Sequence, residues 1–321
     1  MKVLYVTNCY PVEEQPYYGI FVKEQIDAMC HYSDIEADIF FINGLKGKSE
    51  YLKSIGKIRK LIKSQKYDIV HVHYGISGLF LLLGKVDVPV LLTLHGGDIL
   101  TAQGKGFQVK ISKMILKKVS AVIILNDIMR KAVEGYNDNI YYLPCSVNTS
   151  LFTPTVERPL KFSKYVKILF PSYRNRKVKN FGLFQSVCEL LEKKYGYCVE
   201  RLYLEDKERH EVAELYNSID LLLLTSISEG SPGVIKEGMA CNVPIVSTNV
   251  GDVKSNLNGV CNTAVSESGD AEDLARLCNM CLNNAISGVT GQQKIKELGL
   301  DDKTVVENLI SIYNTLINSN K

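Results

Sequence analysis

The chain alternates short runs of apolar, often β-branched residues with longer segments in which apolar residues recur at helical spacing. Apolar strands separated by helices are typical of parallel sheets that are covered on both faces. The short runs predict strands at 3–7, 37–42, 68–72, 88–94, 121–125, 140–143, 166–170, 199–204, 221–225 and 243–247. The longer segments predict helices at 21–30, 50–64, 106–118, 128–134, 181–195, 209–217, 234–241, 271–283 and 304–318.

This alternation is interrupted between residues 143 and 159, where Pro, Thr and Ser are frequent. We interpret that stretch as a linker between two doubly wound α/β domains. The predicted domains are 1–155 and 156–303, with a final helix in 304–321. Ligands of such sheets bind beyond the carboxyl ends of the strands, so the loops after the strands are where chemistry is expected.

Composition and charge exclude several classes of protein. A hydrophobic fraction of 46% over 321 residues is too high for a disordered chain and fits about two folded domains. A net charge of +3 argues against a dedicated nucleic-acid-binding protein, which usually carries a strong basic excess. The apolar start is too short for a secretory signal, and no run of about 18 apolar residues occurs. We therefore expect a cytoplasmic protein whose nine scattered cysteines are reduced thiols.

Histidines cluster near the ends of two successive predicted strands. His71 and His73 lie on one face of the first strand, and His95 follows the second. Three histidines could bind a metal, but the only carboxylate near them is Asp98, so we favour packing or hydrogen-bonding roles for His71 and His73. His95 differs because the two glycines after it let a ligand approach the backbone closely. We predict that His95 lines a pocket and that the chain has no metal site.

The most informative segment runs from Thr225 to Pro244, where a predicted strand enters a loop rich in Ser, Gly and Pro. A helix begins near Gly233, and Pro232 suits its start because proline has no N–H group to leave unpaired there. The first free amides of such a helix, together with its dipole, favour an anion such as phosphate. Glu229 and Glu237 can face that anion from two sides. Spacing alone supports an alternative equally well, in which Glu229 is an ordinary loop carboxylate and Glu237 is an exposed helix residue.

A second segment that favours anions follows the predicted strand that ends at Phe170. Residues 173–180 carry four cations, which form either a solvated basic loop or a partner for a diphosphate at the 229–233 loop. The chain has no DxD motif, so arginine and lysine would replace a bridging metal. The planar fork of arginine suits phosphate best.

Together these segments resemble the retaining glycosyltransferases of family 4, which have the GT-B fold. The resemblance spans essentially the whole chain. The amino-acid sequence around the E-x7-E motif of this chain is similar to that of transferases of exopolysaccharide and teichuronic-acid assembly. It implies two Rossmann-like domains that face each other across a cleft, with 304–321 packing back toward the N-terminal domain. The matching segments are Tyr17–Val22, Asp68–His73, Thr93–Asp98, Leu151–Pro154, Asn175–Asn180 and Glu229–Glu237.

The resemblance also implies roles for residues at matching positions. Glu229 would bind hydroxyls of the donor sugar, His95 would contact that sugar, and Glu237 would bind the ribose of the nucleotide. Arg176 and Lys179 would stabilise the charge on the departing diphosphate. Further donor-binding residues implied in this way, the last three through backbone amides, are Gly19, Ser231, Gly233, Val234 and Ile235.

The chain departs from the family pattern at three places. Tyr18 precedes Gly19 where a second glycine is usual, and Cys145-Ser-Val-Asn148 replaces the usual Asn-Gly-Val-Asp of the hinge. Pro171-Ser172 replaces the usual Gly-Arg before the basic loop, so Arg176 is our choice for the phosphate arginine, with Arg174 as the alternative. The family is thought to retain anomeric configuration without an enzymic nucleophile, so we name none.

The function implied by the resemblance is that of a metal-independent hexosyltransferase without a cofactor. It would move a sugar from a nucleotide sugar, by the resemblance a UDP-sugar, to a glycan or lipid-linked acceptor in cell-surface polysaccharide synthesis. No nucleic acid is expected as a partner. Two alternatives stay open: a GT-B sugar-nucleotide epimerase, and a non-catalytic subunit that binds sugar nucleotides.

Two basic segments lie in the predicted N-terminal domain. Residues 45–66 carry eight Lys or Arg against Glu50 alone, and 105–118 add five lysines without an acid. Near anionic lipid each such residue contributes about 1 kcal/mol. A solvated face and a peripheral contact with the inner face of the cell membrane are equally good interpretations.

Overall fold

The computed structural model describes residues 1–100, 106–157, 163–283 and 286–320. Within these ranges no helix is long and apolar enough to cross a membrane. The strands are β1 (Lys2–Thr7), β2 (Glu36–Phe41), β3 (Ile69–His73), β4 (Val90–Thr93), β5 (Ala121–Ile124), β6 (Ile140–Tyr142), β7 (Tyr165–Phe170), β8 (Cys198–Tyr203), β9 (Leu221–Leu224), β10 (Ile245–Thr248) and β11 (Thr263–Ser266). The helices are α1 (Ile20–Tyr32), α2 (Ser49–Ser64), α3 (Gly106–Leu116), α4 (Asp127–Val133), α5 (Phe181–Tyr195), α6 (Arg209–Ser218), α7 (Gly233–Ala240), α8 (Val253–Leu257), α9 (Ala271–Leu282), α10 (Gly291–Glu297) and α11 (Asp302–Ser319).

The first compact unit contains residues 1–145 and 302–321. Its six strands form a parallel sheet in the order β2-β1-β3-β4-β5-β6. The chain moves from β2 to β6 in one direction across the sheet. Since parallel crossovers are right-handed, the connections on that path cover one face of the sheet. They are α2, the 3₁₀ segment Gly75–Leu83, α3 and α4, whereas α1 and α11 pack together.

The second unit contains residues 146–301. Its parallel sheet has the order β11-β10-β9-β7-β8, and β9 is entirely buried. Apolar side chains on both faces of the sheet form two hydrophobic clusters, as expected for a strand such as Leu221–Leu224 that is apolar throughout. The expectation of two doubly wound parallel-sheet domains is therefore confirmed.

The division between the units falls after Cys145, ahead of the predicted boundary at residue 155. The reason lies in the residues between the two positions. The amide of Val147 donates to the carbonyl of Leu300 at 2.9 Å, and the ring of Phe152 packs edge-on against Tyr216 at 5.9 Å between centroids. Residues 146–155 thus belong to the second unit, and Val147 and Phe152 are part of its core. Residues 158 and 159 of the predicted linker lie outside the described residues.

The last helix, α11, contributes to the core of the first unit. The hydroxyl of Tyr313 lies 2.6 Å from Nδ1 of His71 and 3.2 Å from the hydroxyl of Tyr5. Since all three side chains are fully buried, these bonds satisfy polar groups that would otherwise be costly to bury. The buried apolar and aromatic side chains of α11 are Val305, Val306, Leu309, Ile312, Tyr313 and Leu316.

Candidate functional site

In the second unit, the loop between β9 and α7 presents the start of a helix. Pro232 is the residue before the helix, and no side chain caps it within the part of the chain that the structure describes. The amides of Gly233 and Val234 have no partner among the described residues, which suits an anion. The amide of Ile235 donates to the carbonyl of Pro232 at 3.2 Å, so its implied role as a third amide donor stays a prediction.

The carboxylate of Glu229 is held by side chains from two neighbouring strand ends. Nζ of Lys179, which follows β7, donates to Oε1 of Glu229 at 2.5 Å, and Oγ of Ser226, after β9, donates to the same oxygen at 2.6 Å. Lys179 is only 7% exposed, and its own carbonyl accepts from Oγ1 of Thr225 at 2.9 Å. Oε2 of Glu229 has no partner among the described residues, so this oxygen is available to a ligand hydroxyl.

Glu237 is a buried residue of α7 and is only 8% exposed. The alternative interpretation of Glu237 as an exposed helix residue is therefore excluded. Its Oε1 accepts from Arg209 at 2.8 Å, and the Tyr216 hydroxyl lies 3.0 Å from Oε2. The guanidinium of Arg209 also lies over the ring of Phe152, 4.8 Å from its centroid. A carboxylate has about four lone-pair positions, so Glu237 can still accept hydrogen bonds from a ligand.

Arg209 and Tyr216 are absent from the residues that the sequence singles out. Both come from α6, more than twenty positions before Glu237, and no spacing rule connects them to it. The one local signal is a capping box, Glu208 with Glu211, which marks the start of α6 and thus the place of Arg209 in its first turn.

The four cations of the basic loop have different surroundings. Arg174 donates to Glu205 through its backbone N, Nε and Nη2, at 2.8, 3.1 and 2.9 Å, and its guanidinium lies over the ring of Tyr203. Arg176 and Lys177 are exposed, and the side chain of Arg176 has no partner among the described residues. The loop is tied to the segment after β9, because the amide of Ile227 donates to the carbonyl of Val178 at 2.8 Å. Arg174 is therefore already paired with a carboxylate, whereas the side chain of Arg176 has no such partner in the described ranges, and the choice between them stays a prediction.

A turn after β10 supports the loop that contains Glu229. Gly251 has a φ of +57°, and a Cβ added there would lie 2.4 Å from the carbonyl oxygen of Gly230. The hydroxyl of Ser231 donates to Oδ2 of Asp252, a buried carboxylate, at 2.5 Å. A glycine at 251 is thus required by close backbone approach and by φ together.

In the first unit, Gly19 lies against the end of β1. Its φ is +71°, and a Cβ added there would lie 2.3 Å from both the carbonyl carbon and the oxygen of Cys9. The hydroxyl of Tyr18 donates to the carbonyl of Asn8 at 2.9 Å. These contacts fix the turn into α1, and only glycine fits at position 19.

The three histidines near the strand ends are hydrogen-bonded, His71 to Thr93 and His73 to His95. Nε2 of His71 lies 2.7 Å from Oγ1 of Thr93, and Nδ1 of His73 lies 3.1 Å from Nε2 of His95. The rings of Phe21 and Tyr74 pack on His95 with centroids 4.9 and 4.6 Å away. Nε2 of His73 is buried without a partner among the described residues. In the part of the chain that the structure describes, no three His, Cys, Asp or Glu side chains form a group that could hold a metal ion.

Asp98 fixes the loop that carries His95. Its Oδ1 accepts from the amide of His95 at 3.0 Å and its Oδ2 from that of Gly75 at 3.1 Å. Burial raises the pKa of Asp98 to about 6, although these amides oppose the shift. Burial also lowers the pKa of His73 to about 3 and that of His95 well below its usual range, so both rings are neutral at neutral pH.

These shifts give opposite dependences of stability on pH. Below about pH 6.5 the unfolded chain protonates His73 and the folded chain does not, so the free energy of unfolding falls as the pH falls. Between about pH 6 and 4 the folded chain protonates Asp98 before the unfolded chain does, which offsets part of that loss. Asp98→Asn removes the offset, and we expect the free energy of unfolding to fall more steeply there, by up to about 1.4 kcal/mol per pH unit. Denaturant titrations of both proteins from pH 7 to 4 measure this, and parallel curves would contradict it.

Sequence and structure comparisons agree with the division of the chain into two units. Residues 23–126 match the family model described as "Glycosyl transferase 4-like", and residues 190–284 match "Glycosyl transferases group 1". TuaC of Bacillus subtilis (strain 168), a glycosyltransferase named for teichuronic acid biosynthesis, is 22% identical over 79% of this chain and 82% of TuaC.

Two solved structures are similar to nearly the whole length of this chain. Sucrose-phosphate synthase from Thermosynechococcus elongatus has a TM-score of 0.76 at 15% identity and covers 99% of each chain. Alr3699/HepE from Anabaena, in complex with UDP-glucose, has a TM-score of 0.72 at 14% identity and covers 98% of this chain and 100% of the other. At these identities the likeness concerns the fold.

Proposed function

Since this chain is a GT-B glycosyltransferase of the family 4 type, we propose that it transfers a hexose from a UDP-sugar to a glycan or lipid-linked acceptor, with retention of configuration. The observation that carries this proposal is the pair of Lys179 with Glu229 of the loop that leads to α7, a helix whose first amides have no partner among the described residues. A cation, a carboxylate and helix amides at one place suit a ligand that joins a phosphate to a sugar.

The chemistry follows from the charge that develops during the reaction. When the bond from the sugar to the diphosphate breaks, negative charge grows on the leaving group. Lys179, Arg176 and the amides of Gly233 and Val234 would stabilise that charge, since preorganised donors act most strongly on the transition state. Because these groups are donors in their own right, the proposed reaction needs no bridging metal. We name no nucleophile, because acceptor attack on the face that the leaving group vacates retains configuration without one.

Glu229 and Glu237 would orient the two ends of the donor. The free Oε2 of Glu229 suits a sugar hydroxyl. Glu237, held by Arg209 and Tyr216, suits the two hydroxyls of a ribose, which are donors that a charged carboxylate binds strongly. In the first unit we assign His95 to the sugar and Gly19 to the diphosphate, as the family resemblance implies.

The choice of UDP and of a cell-surface product rests on relatives. The Anabaena neighbour is in complex with UDP-glucose, and TuaC is named for teichuronic acid biosynthesis. By analogy we propose a UDP-linked donor, a polysaccharide or lipid-linked acceptor, and a site of action at the cytoplasmic side of the cell membrane. The basic segments 45–66 and 105–118 would provide the membrane contact, although Lys105 lies outside the described residues.

A panel of nucleotides and nucleotide sugars tests this function. Thermal unfolding is measured with UDP, GDP, ADP and their glucose derivatives, and we expect stabilisation by the uridine compounds. A ligand at 100 times its dissociation constant adds about 2.7 kcal/mol to the free energy of unfolding. Stabilisation by none of these ligands would contradict the proposal. A UDP-sugar converted to its epimer without an acceptor would instead identify an epimerase, and binding without any turnover in cell extract would identify a binding subunit.

A further inference from the structure

Both basic segments lie on the same side of the first unit. The helices α2 and α3 pack against the 3₁₀ segment Gly75–Leu83 from its two sides, and all three belong to connections that cover one face of the sheet. We call the outward surface of α2 and α3 the basic face. Charges that are far apart in sequence are thereby combined on one surface, which the sequence alone does not reveal.

The exposed side of helix α3 carries apolar and basic residues next to each other. Phe107 and Met114, seven positions apart and therefore on one side of the helix, are 75% and 49% exposed. Lys110 and Lys117 follow them at the same spacing, so a basic edge runs beside an apolar edge on the outside. The opposite side of α3 is buried in the core of the unit, including Leu116. An exposed helix with adjacent apolar and basic edges is typical of interfacial helices.

A pocket of about 400 Å³ opens on the basic edge of α3. It is lined by Lys110, Lys113, Lys117 and the ring of Tyr136, and Nζ of Lys113 and Lys117 lie 5.0 and 5.5 Å from the centroid of that ring. None of the three lysines has a carboxylate within 4 Å among the described residues. Three like charges around one pocket repel each other, and a bound phosphate would relieve that repulsion.

On α2 only part of the basic charge is available to a partner. Arg59 donates to the carbonyls of Phe80, Gly84 and Lys85, and so connects α2 to the end of the 3₁₀ segment. Lys53 is paired with Glu50. The exposed lysines of α2 that have no such partner among the described residues are Lys57, Lys60 and Lys63.

We propose that the basic face binds an anionic lipid bilayer, with a lipid phosphate in the pocket of Lys110, Lys113 and Lys117 and with Phe107 inserted among the acyl chains. Charge complementarity and the exposed apolar edge favour this partner over a nucleic acid, because phosphate alone does not account for an exposed phenylalanine and methionine. The inference adds a specific site to the membrane contact of the proposed function, but lipid binding is measured without any donor or acceptor.

Co-sedimentation with vesicles of phosphatidylcholine, with and without phosphatidylglycerol, tests this proposal. We expect binding only to the anionic vesicles, weaker in high salt. The triple variant K110Q/K113Q/K117Q should bind about a hundredfold more weakly, since each lysine contributes about fivefold. The matched control K193Q/K254Q/K296Q changes three exposed lysines of the second unit, loses the same net charge, and should bind as the unaltered protein does.

Further arms separate the apolar contribution and the source of the phosphate. Phe107→Ser should weaken binding at equal charge, because it removes the inserted ring. Equal binding by the pocket variant and the unaltered protein would overturn the proposal, as would an equal loss in the control variant. Saturable binding of inorganic phosphate without any vesicle binding would also overturn it. Thermal unfolding with UDP shows that the pocket variant is folded, and failure of nucleotide binding alone would count only against the proposed function.

Discussion

K179Q is expected to lower kcat by about 10²- to 10³-fold, the usual cost of removing one preorganised donor from a developing anion. Lys179 is buried and bonded to Oε1 of Glu229 at 2.5 Å, so its ammonium is held in place before the donor binds. Glutamine retains a polar group but not the charge, and Ser226 still holds Glu229. The fall should therefore appear in kcat more than in the melting temperature. The measurement is the release of UDP in the presence of acceptor.

Arg174→Gln is the matched control for K179Q. Arg174 belongs to the same basic loop, but its guanidinium is bound to Glu205 and its side chain is about half exposed. Exposed ion pairs contribute little to stability, so this variant should keep its fold and nearly all of its activity. If R174Q lost as much kcat as K179Q, the assignment of the leaving-group cation to Lys179 would be wrong.

E237Q is expected to abolish the stabilisation by UDP. In the unaltered protein, UDP at 100 times its dissociation constant should add about 2.7 kcal/mol, and in the variant the added free energy should be close to zero. The neutral amide is a weaker acceptor than the carboxylate, and the charge-assisted bond between Arg209 and Glu237 is lost. Because that loss also lowers the stability of the unliganded variant, the shift is measured against the variant's own unliganded melting temperature.

E229Q separates the sugar from the nucleotide. We assign Glu229 to the donor sugar, so this variant should keep the stabilisation by UDP and lose the further stabilisation that a UDP-sugar gives. Such a pattern would place the two glutamates at opposite ends of one ligand. An undiminished UDP shift in E237Q would refute the ribose assignment, whatever E229Q does.

Patterns along the chain account for most of the fold. The predicted strands begin and end within a few residues of β1 to β10, because most of these strands are short apolar runs, as is typical of parallel sheets. The strand β11 was missed since Thr263–Ser266 is short, half polar and at the edge of its sheet. Helix α8 was missed because five residues are too few to establish a period, and α10 because Ile295 is the one apolar side chain among its seven residues.

The candidate site divides in the same way. Spacing connects Glu229 with Glu237, and the cations after β7 are recognised by composition. The partners of Glu237 cannot be recognised from the sequence, because Arg209 and Tyr216 reach it from another helix through tertiary packing. Likewise no sequence rule indicates that Arg174 is paired with Glu205 while the side chain of Arg176 has no partner in the part of the chain that the structure describes. The assignment of roles to these residues stays a prediction until the variants are measured.

The position of α11 affects how the chain folds during synthesis. The second unit is contiguous and is complete once residue 301 has been made, whereas the first unit receives α11 only afterwards. At translation speeds of 5 to 20 residues per second, the strands of the first unit wait roughly ten to thirty seconds for this helix. During that interval the apolar groups that α11 later covers are open to other molecules. We expect nascent chains to bind chaperones through the first unit. Release should follow the synthesis of α11, when the second unit is already folded.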